Sequence, residues 1–180
     1  FQNDGMKFWK NQGINKNSFV ICFFGIFGKY VDIETLILAF NKLPKDYNVS
    51  LVLCGQGNTE KKFKNMAKNN QSIFFPGWVD KPKIQTLMDI SSVGVLPFYQ
   101  SKYTHQYELP NKLFEYLSAG LVILNSVKGF LSNLLDSNDC GVTYKEGDIS
   151  DCLNKIIYLY NLNNVFKQKT ENSLNLFNNN

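Results

Sequence analysis

The sequence predicts a doubly wound α/β domain built on a mostly parallel six-stranded sheet. Short apolar runs recur along the chain, and each is followed by a stretch whose apolar residues repeat at helical spacing. Runs that are apolar at every position, rather than at alternate ones, belong to strands buried on both faces, as in a parallel sheet covered by helices. The bulk is sufficient: 180 residues, 44% hydrophobic and 19% charged, make one domain of ordinary size with a sizeable core.

Taken in order, residues 1–18 are expected to form a linker or first helix, with Phe8 and Trp9 as its apolar positions. The run 19–24 is the first strand and 33–43 its helix; 49–54 and 59–68 follow, then 72–75 and 81–90. Asp80 suits the cap of that third helix, with Pro82 in its first turn. Strand 93–96 leads to a helix over 110–118, strand 122–124 to a short helix near 130–135, and strand 142–144 to a helix from 149 onward. The repeating unit spans 19–160. Residues 161–180 read as a C-terminal helix, cut short, because the pattern of Leu162, Val165, Phe166, Leu174, Leu176 and Phe177 ends in asparagines without a stop signal.

Composition excludes several classes of function. All 19 cations are lysine, the net charge is +4, and the lysines are dispersed. Without arginine, major-groove readout lacks its commonest side chain, so nucleic acid is not an expected partner. No apolar run reaches the roughly 18 residues of a membrane span, and the N-terminus carries no secretory pattern, which favours a soluble cytoplasmic chain. Cys22, Cys54, Cys140 and Cys152 form no CxxC pair and read as reduced structural thiols. The single histidine, His105, has no ligand cluster around it, so no zinc site is expected.

Ligands of open α/β sheets bind beyond the carboxyl ends of the strands, which directs attention to four loops. Gly25-Ile26-Phe27-Gly28-Lys29 offers backbone amides and a cation to a phosphate, or is a tight turn with a solvated lysine. Cys54-Gly55-Gln56-Gly57-Asn58 has the first two glycines of a dinucleotide fingerprint and not the third, and a simple strand-to-helix turn is the better reading. At Phe75-Pro76-Gly77-Trp78-Val79 the backbone could approach a flat ring, while Trp78 could equally belong to the core.

The fourth loop opens the helix at 110–118. With Pro110 in its first position, the amides of Asn111, Lys112 and Leu113 lack intrahelical acceptors, and with the helix dipole and the Lys112 ammonium they suit an anion. Glu115, one turn on, could accept hydrogen bonds from the vicinal diol of a ribose. The alternative is a surface pair between Lys112 and Glu115, worth about 0.2–0.5 kcal/mol.

The succession Phe24-Gly25, Leu53-Cys54-Gly55-Gln56-Gly57, Phe75-Pro76-Gly77-Trp78-Val79, Val93-Gly94-Val95-Leu96-Pro97 and Pro110-Asn111-Lys112-Leu113-Phe114-Glu115-Tyr116-Leu117-Ser118-Ala119-Gly120 resembles the C-terminal, nucleotide-sugar-binding domain of group 1 GT-B glycosyltransferases. The resemblance implies a Rossmann-like domain that holds a nucleotide-sugar, expected to be a UDP-sugar, for retaining transfer to a polysaccharide or glycolipid. It implies no metal cofactor. It also implies a separate N-terminal acceptor domain, absent here, and leaves room for a peripheral position at the inner face of a membrane in a full-length protein. Residue by residue, Glu115 matches the ribose glutamate, Gly77, Trp78 and Val79 the segment framing the base, and Gly25, Gly28, Asn111, Lys112 and Leu113 the surroundings of the diphosphate. Two positions depart from the family pattern. Where many members carry an arginine after the first-strand glycine, this chain has Ile26, so Lys29 and Lys112 are expected to neutralise the leaving diphosphate. Seven residues before the ribose glutamate the family often has another glutamate; here that position is Tyr107, and Glu108 beside it is the candidate for the donor sugar. A sugar-nucleotide epimerase half and a non-catalytic binding module are the alternative functions.

Overall fold

The computed structural model describes residues 2–15, 17–102 and 109–179. Along them run α1 (Gln2–Asn11), β1 (Phe19–Phe24), α2 (Ile33–Asn41), β2 (Val49–Cys54), α3 (Glu60–Ala67), β3 (Ile73–Gly77) and α4 (Lys81–Ile90). β4 (Val93–Leu96), α5 (Asn111–Ser118), β5 (Val122–Asn125), α6 (Phe130–Ser137), β6 (Gly141–Thr143), α7 (Ile149–Tyr160) and α8 (Asn164–Asn178) complete the set. The strands form a single sheet in the order β3-β2-β1-β4-β5-β6, and every neighbouring pair is parallel. This is the doubly wound arrangement that the alternation of apolar runs and amphipathic stretches predicts, with the strand order reversing between the paired β1 and β4.

Side-chain alternation along the strands divides the core into two layers. Ile21, Phe23, Leu51 and Leu53 face α2, α3 and α7, whereas Val20, Cys22, Val52 and Cys54 face α1, α4, α5, α6 and α8. A strand between two such layers must be apolar on both faces, and all six positions of β2 are buried. The four cysteines are buried and unpaired, and burial pushes their thiols well above the ordinary range, Cys140 to about 11 and Cys22 to about 12.

The helix starts follow the capping residues. Asp80 accepts from Lys83 N at 3.2 Å, Asp148 from Asp151 N at 3.0 Å, and the buried Asp32 from Thr35 N at 3.1 Å. Asp32 also accepts from Gly147 N at 3.3 Å, tying the start of α2 to the loop between β6 and α7.

Both ends of the chain are built into the same body. Trp9 on α1 is 1% exposed and its indole N–H donates to Lys83 O at 2.9 Å. Gly5 faces α4 so closely that a Cβ there would lie 2.2 Å from Thr86 Oγ1. At the other end α8 packs on α5, with Ser173 and Leu176 buried and the 3%-exposed Lys169 paired with Asp139.

Candidate functional site

The loops at the carboxyl ends of β1, β2 and β3 enclose a cleft of about 410 Å³, within the ~300–1,000 Å³ of small-molecule sites. Its walls are mainly apolar: Phe24, Ile26, Cys54, Trp78, Val79 and Ile84. Phe24 is fixed there by an edge-on contact with Tyr116 of α5, ring centroids 5.1 Å apart. Trp78 is 70% exposed, so it does not belong to the core, and it lines this cleft. Gly77 has φ +78°, and nothing lies within 4 Å of where its Cβ would stand. The backbone turn, rather than crowding, calls for glycine there, and the space beside it is open to a flat ring. A larger groove, about 850 Å³, lies between α1 and the chain leading into β1, near Ile14 and Ile90. It sits by the amino ends of the strands, away from the edge where parallel sheets bind ligands.

Gly25 joins this cleft to a second feature. A Cβ on Gly25 would lie 2.8 Å from Lys112 Cε and 3.1 Å from Nζ, so the lysine side chain lies directly over the end of β1. Lys112 is half-buried and forms no ion pair with a described carboxylate. Burial pushes its pKa below the ordinary lysine range, an effect that the charge of Glu115 partly offsets. The alternative surface pair with Glu115 is not formed, and Glu115 stands exposed one turn further along α5.

The start of α5 refines the sequence reading. Pro110, with φ −69° and ψ 142°, is the N-cap rather than the first helical residue, and it supplies no side-chain cap. Leu113 N–H donates to Pro110 O at 2.9 Å, and the Leu113 side chain is fully buried. Leu113 therefore anchors α5 and offers nothing to a ligand directly. Asn111 and Lys112 keep N–H groups with no acceptor among the described residues, at the positive end of the helix dipole.

In the first loop, Gly25 N–H donates to Cys54 O at 2.9 Å and Phe27 N–H to Gln56 O at 3.0 Å. The N–H groups of Ile26 and Gly28 have no acceptor among the described residues. Ile26, the residue after the first-strand glycine, is 77% exposed at the rim of the cleft. Lys29 is exposed, its ammonium 5.0 Å from the centre of the Tyr30 ring. Gly55 and Gly57 are close-approach glycines: a Cβ on Gly55 would fall 1.8 Å from Gly25 O, and one on Gly57 2.1 Å from Phe27 O. The two-glycine motif thus belongs to loop packing rather than to a dinucleotide fingerprint. No spacing rule reveals this, because the partner loop lies thirty residues away in sequence.

Glu108, Tyr107 and His105 lie outside the described residues. Among the described residues no group of three or more His, Cys, Asp or Glu is placed to hold a metal, and no helix is long and apolar enough to cross a membrane.

Comparison with known proteins gives a consistent result. A family model described as glycosyl transferases group 1 matches residues 6–175. An uncharacterised glycosyltransferase of Methanocaldococcus jannaschii is 27% identical over 164 residues, covering 89% of this chain and 41% of that protein. The crystal structure of WaaG, a glycosyltransferase involved in lipopolysaccharide biosynthesis, superposes with a TM-score of 0.80 at 17% identity, covering 100% of this chain and 48% of that one. The Anabaena protein HepE, crystallised with UDP-glucose, superposes with a TM-score of 0.74 at 16% identity, covering 98% of this chain and 47% of its own. The chain therefore spans about half the length of these relatives.

Proposed function

The chain belongs to the group 1 glycosyl transferases, and on that premise we propose that it is the donor-binding half of a retaining enzyme that transfers a sugar from a UDP-sugar to a polysaccharide or glycolipid acceptor. The observation that carries this reading is Lys112 lying over Gly25 with no ion pair to a described carboxylate, beside amides that have no acceptor among the described residues and next to the apolar cleft at Trp78. An anion-binding corner next to a slot for a flat ring suits the two ends of a nucleoside diphosphate. In this reading Glu115, exposed on the same helix, accepts from the ribose hydroxyls. UDP-glucose in the HepE crystal supports the choice of donor class.

The chemistry follows from where charge develops. As the glycosidic C–O bond lengthens, the anomeric carbon becomes cationic and the diphosphate gains negative charge. Donors already fixed at the diphosphate bind that state better than the ground state and lower the barrier. Here the donors are the Lys112 ammonium and the amides of Asn111, Lys112, Ile26 and Gly28, with Lys29 close by in sequence. Lysine supplies a point charge without the bidentate fork of arginine, so orientation of the phosphates rests on the amides. The reading calls for no metal, and the acceptor is held by the rest of the protein.

Isothermal calorimetry tests it. The folded chain is expected to bind UDP, and Lys112→Met to weaken UDP by about 1.5–3 kcal/mol, the range for a hydrogen bond to a charged group. Glu115→Ala is expected to weaken UDP and uridine alike, by about 1–3 kcal/mol. A folded chain that binds none of UDP, GDP and ADP is incompatible with the proposal.

A further inference from the structure

Thr59 holds the N-cap position of α3, yet its hydroxyl does not cap that helix. A threonine there ordinarily accepts from the second or third amide of its own helix. Instead Thr59 donates to Phe27 O at 2.9 Å, across thirty-two positions of sequence. The same carbonyl is confined by Gly57, where a Cβ would approach it to 2.1 Å. Two residues earlier, Gly25 O is confined by Gly55 in the same manner, at 1.8 Å. The amides of Gly25 and Phe27 donate to Cys54 O and Gln56 O. Hydrogen bonds therefore hold the first loop against the second beyond the ends of β1 and β2.

This pairing has a consequence for the intervening peptides. In a trans peptide the C=O and the following N–H point in opposite directions. With the carbonyls of Gly25 and Phe27 turned toward the second loop, the N–H groups of Ile26 and Gly28 are turned away from it, and neither meets an acceptor among the described residues. Two N–H groups two residues apart and turned the same way present a pair of donors to one anion. The geometry points to Thr59, Gly55 and Gly57 as positioning residues that aim the amides of Ile26 and Gly28 at the diphosphate of the donor. The inference rests on the donor-binding reading above and extends it. The group that serves at position 26 is its amide, so an isoleucine side chain is compatible with the site.

Calorimetry with UDP and uridine on the wild-type 180-residue chain, Thr59→Val, Thr59→Ser and Gly57→Ala tests the assignment. Thr59→Val is expected to weaken UDP about 3- to 10-fold, as for one lost hydrogen bond, and uridine by less than about twofold. Thr59→Ser, which keeps the hydroxyl, is expected to restore UDP affinity, and Gly57→Ala to lose more than Thr59→Val. Should Gly57→Ala fail to fold, the two Thr59 variants decide by themselves. Wild-type UDP affinity in Thr59→Val, or equal loss of UDP and uridine, would overturn the assignment. A wild-type chain that binds neither ligand refutes the donor-binding reading instead, which is a distinct result.

Discussion

Lys112 lies in two conflicting environments. Its half-buried position disfavours the charged form, while the charge of Glu115, and any anion bound at the start of α5, favours it. The folded chain holds the ammonium proton less tightly than the unfolded chain, so this group costs stability at neutral pH. That cost is relieved as pH rises through the depressed folded pKa toward the ordinary lysine value. A bound diphosphate works in the opposite direction. UDP affinity is therefore expected to fall as pH rises from neutral toward about 10, beginning at a pH where an exposed lysine is still charged. Lys112→Arg should move that fall beyond the measured range, because a guanidinium stays protonated. Calorimetry across the interval checks this, and an unchanged pH dependence in Lys112→Arg would remove Lys112 as its source. Gly25, Gly77 and Trp78 were legible in the sequence because they directly follow apolar runs, and Lys112 and Glu115 because a proline opens their helix. The roles of Leu113 and Thr59 were not, because each depends on a hydrogen bond whose partner only the folded backbone supplies.

At the scale of elements, the placement of α5 depends on β4. Gly94 lies under the ring of Tyr116, and a Cβ there would approach Tyr116 Cγ to 2.4 Å. Tyr116 in turn supports Phe24 at the wall of the cleft. Gly94→Ala is expected to destabilise the domain by about 1–3 kcal/mol, the usual cost of overfilling a well-packed core. Urea denaturation measures it, and a wild-type midpoint would mean that α5 does not rest on β4 as described. Strand and helix positions were legible because a buried strand and an amphipathic helix impose different periods, and α4 and β4 begin and end where the pattern places them. The start of α5 was less legible. A proline fits either the cap or the first helical position, and only the extended ψ of Pro110 separates the two. Likewise, nothing local in residues 1–18 signals that Trp9 is buried against α4, since the contact spans more than seventy positions.

For the whole molecule, the strand order β3-β2-β1-β4-β5-β6 brings the loops after β1, β2 and β3 together with the first turn of α5 at one edge of the sheet. Alternation of element types predicts that edge as the binding edge before any side chain is placed. Amide resonances give the most direct test of whether a nucleoside diphosphate binds there. In a titration of the isotope-labelled chain with UDP, the N–H signals of Ile26, Gly28, Asn111 and Lys112 are expected to shift together and saturate together, with the Trp78 indole moving at the same ligand concentrations. Saturable binding that leaves these signals in place and perturbs the groove beside Trp9 and Ile90 instead, or no binding by the folded chain, would contradict the account.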